Sequence, residues 1–159
     1  MVLIVNAVNL IDGIDGLASG LCGIALLFFG IVFFAVDEMV YSLIAFAAFG
    51  TLVPFFYYNV FGEAKVKKKI FMGDTGALTT GVVLSILVVK ICMIPRINIV
   101  EMNPIVLAYS PLIVPCFDVV RVYLHRVRAG RNPFLPDKCH IHHKMLALGM
   151  NQRVVMPII

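Results

Sequence analysis

The sequence predicts an all-α protein: a polytopic transmembrane helix bundle with four complete spans and partial spans at both ends. Three observations carry this reading. Hydrophobic residues make up 61% of the 159-residue chain, charged residues only 14%, and mean hydropathy is +0.99, far above the roughly half-apolar mix of water-soluble domains. Four segments are long enough to cross a bilayer, which takes about 20 apolar residues at roughly 1.5 Å of rise each. Nine of the 13 lysines and arginines fall in two connections between those segments, the distribution that membrane topology imposes.

The elements follow in order. Met1 to Leu10 is apolar and reads as the tail of an earlier span; it lacks the basic region and cleavage site of a secretory signal. The first complete span, Leu17 to Val36, and the second, Val40 to Tyr58, carry no charge. The third, Ala77 to Ile94, carries only Lys90, and the fourth, Ile105 to Leu124, carries Asp118 and Arg121. Those two stand at i and i+3 and read as an ion pair, while Pro111 and Pro115 are expected to kink their helix. Val154 to Ile159 reads as the first turns of a later span. No repeat or second domain is visible, so residues 1–159 are read as one membrane-embedded domain.

Charge and cysteine usage narrow the function classes. A net charge of +4 and a pI near 9.0 are placed by topology, so no nucleic-acid partner is expected. Cys22, Cys92 and Cys116 lie in apolar runs and Cys139 in a basic loop, so no disulfide framework is implied. The loop from Asn59 to Gly76 holds Lys65, Lys67, Lys68 and Lys69; the loop from His125 to Ala147 holds Arg126, Arg128, Arg131, Lys138 and Lys144. Two spans separate these loops, which places both, and the stretch "NLIDGIDG" by parity, on the cytoplasmic face.

Three polar clusters interrupt the hydrocarbon. In "NLIDGIDGLASG", Asp12 and Asp15 stand three apart beside a span, where unpaired acids are costly. Asp15 as a helix cap accounts for one acid. A second acid, with Asn6 and Asn9 nearby and glycines leaving room for a ligand, suggests a site for a cation or a nucleotide. In "IFMGDTGALTTG", Asp74 lies between glycines just before an apolar helix. Capping is again the plain reading, but Asp74 emerges on the same face as Asp12 and Asp15, next to four lysines. Carboxylates around Mg²⁺ with cations nearby suit a pyrophosphate-bearing substrate; the lysines equally suit contact with anionic lipid, and Phe71 suits the membrane interface. In "RVRAGRNPFLPDKCHIHHKMLALG", His140, His142 and His143 sit among basic residues. Zinc held with Cys139 is disfavoured, because adjacent residues point apart; anion recognition and proton transfer fit better.

Together, "NAVNLIDGIDGLASG", "FMGDTGALTTG" and "NPFLPDKCHIHH" resemble, in this order and spacing, three signatures of the polyprenyl-phosphate N-acetylhexosamine-1-phosphate transferase family. The chain is most similar to its bacterial branch that moves N-acetylglucosamine 1-phosphate from a UDP-sugar to undecaprenyl phosphate. The resemblance implies a bundle of about ten membrane helices with a cytoplasmic Mg²⁺ site, Mn²⁺ being the alternative cation. It implies Asp74 and Asn9 as metal ligands, and Asp12 and Asp15 in the nucleotide-binding and catalytic cleft, Asp15 toward the uracil. Phe71 would stack on the base, and Asn59 would contact the nucleotide or diphosphate. His140, His142 and His143, with Arg128, would hold the diphosphate or carrier phosphate. The family's adjacent Asp-Asp pair and a first-half lysine have no counterpart here, so the 159 residues are expected to be the C-terminal portion of such an enzyme, inactive alone. Pairing with a second copy stays open. The alternatives are phospho-N-acetylmuramoyl-pentapeptide transfer, a non-catalytic membrane subunit or ion carrier, and a degenerate remnant.

Overall fold

The structure, a computed structural model, describes residues 1–12, 15–62, 69–94 and 103–128. All of their regular structure is helical: α1 (Val2–Ile11), α2 (Leu17–Ala35), α3 (Met39–Phe61), α4 (Gly73–Cys92), α5 (Pro104–Tyr109) and α6 (Ile113–Arg128). Among the described residues, four stretches are long and apolar enough to cross a membrane: α2, α3, α4 and the run Pro104–Arg121. Large apolar side chains on α3, among them Val40, Leu43, Val53 and Phe61, lie exposed, as lipid-facing residues do in a chain whose surrounding solvent is hydrocarbon. The last span is broken. A 3-10 turn, Ser110–Leu112, separates α5 from α6, and Pro111 lies within it; a proline has no N–H to continue the α-helical ladder. The expected kink therefore takes the form of a change in helix type.

Helix boundaries differ from the hydropathy reading at the polar ends. α4 begins at Gly73, four residues before the apolar run, and holds Asp74 in its first turn. Hydropathy measures where lipid begins, whereas the helix starts wherever its backbone can wind. The capping readings are corrected: α2 has Gly16 as its N-cap, α4 has Met72, and neither cap position makes a side-chain hydrogen bond to the helix. Gly16 takes φ +80°, a left-handed conformation that glycine adopts without a Cβ clash. Asp15 sits just outside that turn.

Packing forms two helix pairs, α2 on α3 and α1 on α4, with α6 also against α1. Small residues bring each pair together, because helices in lipid associate through close van der Waals contact. On α2, Gly30 lies against the Phe46 ring, and the Ser42 hydroxyl donates to the Gly30 carbonyl at 2.9 Å. On α4, Ala77, Gly81 and Ser85 repeat every fourth position and are all buried. A Cβ built on Gly81 would lie 2.8 Å from the Cα of Val5, so α1 and α4 meet backbone to backbone. The core around these seams contains Ile4, Val8, Leu26, Phe29, Phe33, Leu84, Leu87 and Leu112.

Two ion pairs mark opposite ends of the bundle. Lys69 meets Asp15 at one end; at the other, the Lys90 ammonium is 3.1 Å from Glu38 and lies over the Tyr41 ring. The expected pair of Asp118 and Arg121 is present at 2.6 Å, with Asp118 buried.

Candidate functional site

The site grows from the ends of α1, α2 and α4. α1 and α4 pack side by side, so the residue that closes α1, Asp12, lies beside the first turn of α4. The backbone of Gly73 hydrogen-bonds the Asp12 carboxyl, and the charges of Asp74 and Asp15 act on it. Burial is the largest influence, raising the Asp12 carboxyl above the usual carboxylate range; the Gly73 hydrogen bond opposes this, and the two neighbouring acids add to it. The charges of acids from two motifs thus reach Asp12 at one end of the bundle. Asn9 lies one turn before Asp12 on α1, where i and i+3 share a face. Asp74 is exposed, and Asp12 and Asp15 are partly buried.

Asn59, near the C-terminus of α3, ties this end together. It is buried, with 5% exposure. Its Oδ1 accepts from the Gly16 N–H at 2.6 Å, and its Nδ2 donates to the Ile70 carbonyl at 2.8 Å. One amide thus joins the turn carrying Asp15 to the segment carrying Phe71. The neighbouring contact is ionic: Lys69 Nζ donates to Asp15 Oδ2 at 2.5 Å and stands 5.5 Å from the Phe71 ring centroid. Phe71 itself is 72% exposed, an uncovered aromatic face.

The structure therefore brings together Asp12, Asp15, Asp74, Asn59 and Phe71. Arg128 closes α6 and is exposed; with Phe117, Val120, Arg121 and Leu124 it lines a groove of about 270 Å³ along α6. His140, His142 and His143 lie outside the described residues. Among the described residues, no three histidine, cysteine or acidic side chains form a ready metal cluster. The donor chemistry still suits Mg²⁺, which takes one or two carboxylates, retains water and completes its shell with substrate phosphate. Asp12 and Asp74, whose charges already act on each other, are such a pair.

Sequence reasoning missed Lys69 as an individual. Its signal was slight: the last of four lysines, two positions before Phe71. Its partner stands 54 residues away.

Asp12 yields a test of sign. Its raised folded-state value means that its contribution to stability is present below the ordinary aspartate pKa, near 3.8, and is lost as pH rises through the raised value. Asp12→Asn keeps an acceptor for Gly73 and removes the charge. In divalent-free buffer this variant is expected to melt a few degrees above the parent at pH 7 and level with it near pH 3, by circular dichroism. A lower melting point at pH 7 would show that the charge supports the fold.

A family profile described as glycosyl transferase family 4 matches residues 1–92, which include Asp12, Asp15 and Asp74. The chain is 30% identical over 155 residues to the undecaprenyl-phosphate alpha-N-acetylglucosaminyl 1-phosphate transferase of Yersinia pestis, an alignment covering 98% of this chain and 41% of the relative. It is 35% identical over 156 residues to a probable undecaprenyl-phosphate N-acetylglucosaminyl 1-phosphate transferase of Bacillus subtilis, with the same coverage. It is 33% identical over 175 residues to the decaprenyl-phosphate N-acetylglucosaminephosphotransferase of Mycobacterium tuberculosis strain H37Rv, covering 99% of this chain and 42% of that one. The chain thus spans about two fifths of the length of these curated relatives. No solved structure matches it significantly. Motif order, four apolar spans, acids gathered at one end and the profile over more than half its length lead to one conclusion: this integral membrane chain belongs to glycosyl transferase family 4.

Proposed function

We propose that the chain takes part in transferring N-acetylglucosamine 1-phosphate from UDP-N-acetylglucosamine to undecaprenyl phosphate, with Mg²⁺, at the cytoplasmic face of the bacterial inner membrane. The product, a polyprenyl-diphospho-sugar, would serve cell-envelope polysaccharide synthesis. The observation that carries this reading is that the charges of Asp15 and Asp74, from motifs some 60 residues apart in sequence, both act on Asp12, with Lys69 joining Asp15 to the exposed Phe71 ring. The printed functions of the relatives support the substrate pair.

In the proposed reaction an oxygen of the lipid phosphate attacks the β-phosphorus of the UDP-sugar. A new P–O bond forms, the bond from that phosphorus to the bridging oxygen breaks, and UMP leaves with the bridging oxygen. Charge accumulates on oxygens that begin as anions, so the site must gather anions without repelling them. Mg²⁺, when bound, supplies Lewis-acid stabilisation of those oxygens; Asp74, Asp12 and Asn9 are the residues that would hold it. Phe71 offers a face for the uracil ring. Asp15 orients the nucleotide end, and Asn59 keeps Asp15 and Phe71 at a fixed separation. His140, His142, His143 and Arg128 are proposed to meet the phosphates.

The test supplies UDP-N-acetylglucosamine labelled in the sugar, with undecaprenyl phosphate, to the detergent-solubilised natural protein. Label should enter the lipid fraction with one UMP released per sugar, and chelation of divalent cations should stop it. Release of UDP instead of UMP would identify simple glycosyl transfer and reject the proposal, as would transfer from UDP-N-acetylmuramoyl-pentapeptide alone.

A further inference from the structure

We propose that Lys69 is a substrate-binding residue that contacts the nucleotide's diphosphate, held in readiness by Asp15; the assignment rests on the functional reading above.

The need for such a cation follows from charge. The charges of Asp15 and Asp74 both act on Asp12, so an incoming diphosphate meets like charge here. One divalent cation offsets two of those charges, and an anionic substrate requires more positive charge than that. Among the described residues, Lys69 is a cation in contact with one of these acids, Asp15. Its position is chemically specific: the ammonium touches the carboxylate of Asp15 and stands over Phe71. A base lying on that ring would carry its ribose phosphates within reach of a flexible four-carbon stem.

The present contact is suited to exchange rather than to holding the fold. Lys69 and Asp15 side chains are 22% and 24% exposed, so water still reaches this part-buried pair and screens it. The structural tie between the same two segments is made separately by buried Asn59. Asp15 therefore keeps the ammonium in place at small cost, reducing the ordering that binding would otherwise require. A diphosphate offers that ammonium more negative charge than a single carboxylate does.

The test compares the natural protein with Lys69→Met and Lys69→Arg. With Lys69→Met, KM for UDP-N-acetylglucosamine should rise about tenfold to a hundredfold, as for loss of a hydrogen bond to a charged group. Its kcat, its KM for undecaprenyl phosphate, its affinity for uridine and its melting temperature should hold, and Lys69→Arg should recover most of the loss. Unchanged KM in Lys69→Met overturns the proposal. So does a rise in the KM for undecaprenyl phosphate instead, which would assign Lys69 to the lipid. A parallel loss of uridine affinity and melting temperature would make the Asp15 pair structural and overturn it too. If the unsubstituted protein binds neither UDP-N-acetylglucosamine nor uridine, the functional reading itself fails and takes the proposal with it; if it binds both and only the Lys69 result is negative, the functional reading stands.

Discussion

Asp74→Asn is expected to lower sugar-phosphate transfer by at least about a hundredfold, because loss of a charged oxygen ligand removes several kcal/mol of stabilisation where anionic charge accumulates. Stability should barely change. Asp74 is exposed and makes no capping hydrogen bond. Its one structural benefit is a negative charge in the first turn of α4, worth about 0.3 to 1 kcal/mol at an exposed helix start. The gap between those magnitudes is what the experiment reads. Transfer is measured as lipid-linked label and folding as the melting curve; unchanged transfer in a folded variant would remove Asp74 from the reaction. Asp12→Asn provides the contrast, since it is expected to raise stability as it removes charge from the same cleft.

Gly81→Leu is expected to do the reverse, damaging the fold first and the chemistry in consequence. Substituting glycine in a helix ordinarily gains about 0.5 to 1 kcal/mol of propensity. Here the first added carbon would sit 2.8 Å from the Cα of Val5, and a backbone atom cannot swing aside as a side chain can. Overpacking costs about 1 to 3 kcal/mol even where side chains can adjust, so the steric term wins. α1 must move off α4, and with it Asp12 moves off Gly73. Buried Cys22 reports the loosening: a thiol-reactive dye should label it at a lower temperature in Gly81→Leu than in the parent, with transfer reduced in step. Gly81→Ala should shift the same way by less. A variant that melts and transfers like the parent would show that α1 and α4 can separate without consequence.

The spans were legible because hydropathy is an average over many residues, and lipid enforces it at most exposed positions of α3 and at Leu78, Val82, Ile86 and Val89 of α4. The 3-10 break was legible in outline from Pro111. Other features depend on pairings that sequence spacing hides. Asp15 next to a glycine looks like a cap until Gly16 is seen at φ +80° accepting that place itself. Asn59 stands 43 residues from Gly16, and nothing in its neighbours says that both ends of its amide are used. Four similar lysines look alike in a row; only the fold selects Lys69, by delivering Asp15 to it. The acids, in contrast, stood out locally, because carboxylates bordering hydrocarbon need a reason to be there.

The ion pair of Lys90 and Glu38 has a mechanical meaning. α2 and α4, with 19 and 20 residues, are each about 29 to 30 Å long, close to the hydrocarbon thickness of a bilayer. They are joined at one end through Glu38 and at the other through buried Asn59, so a thinner or thicker membrane tilts them as one frame instead of shearing them past each other. Acyl-chain length should then change how deep the reaction centre rides relative to the headgroups while leaving its internal spacing intact.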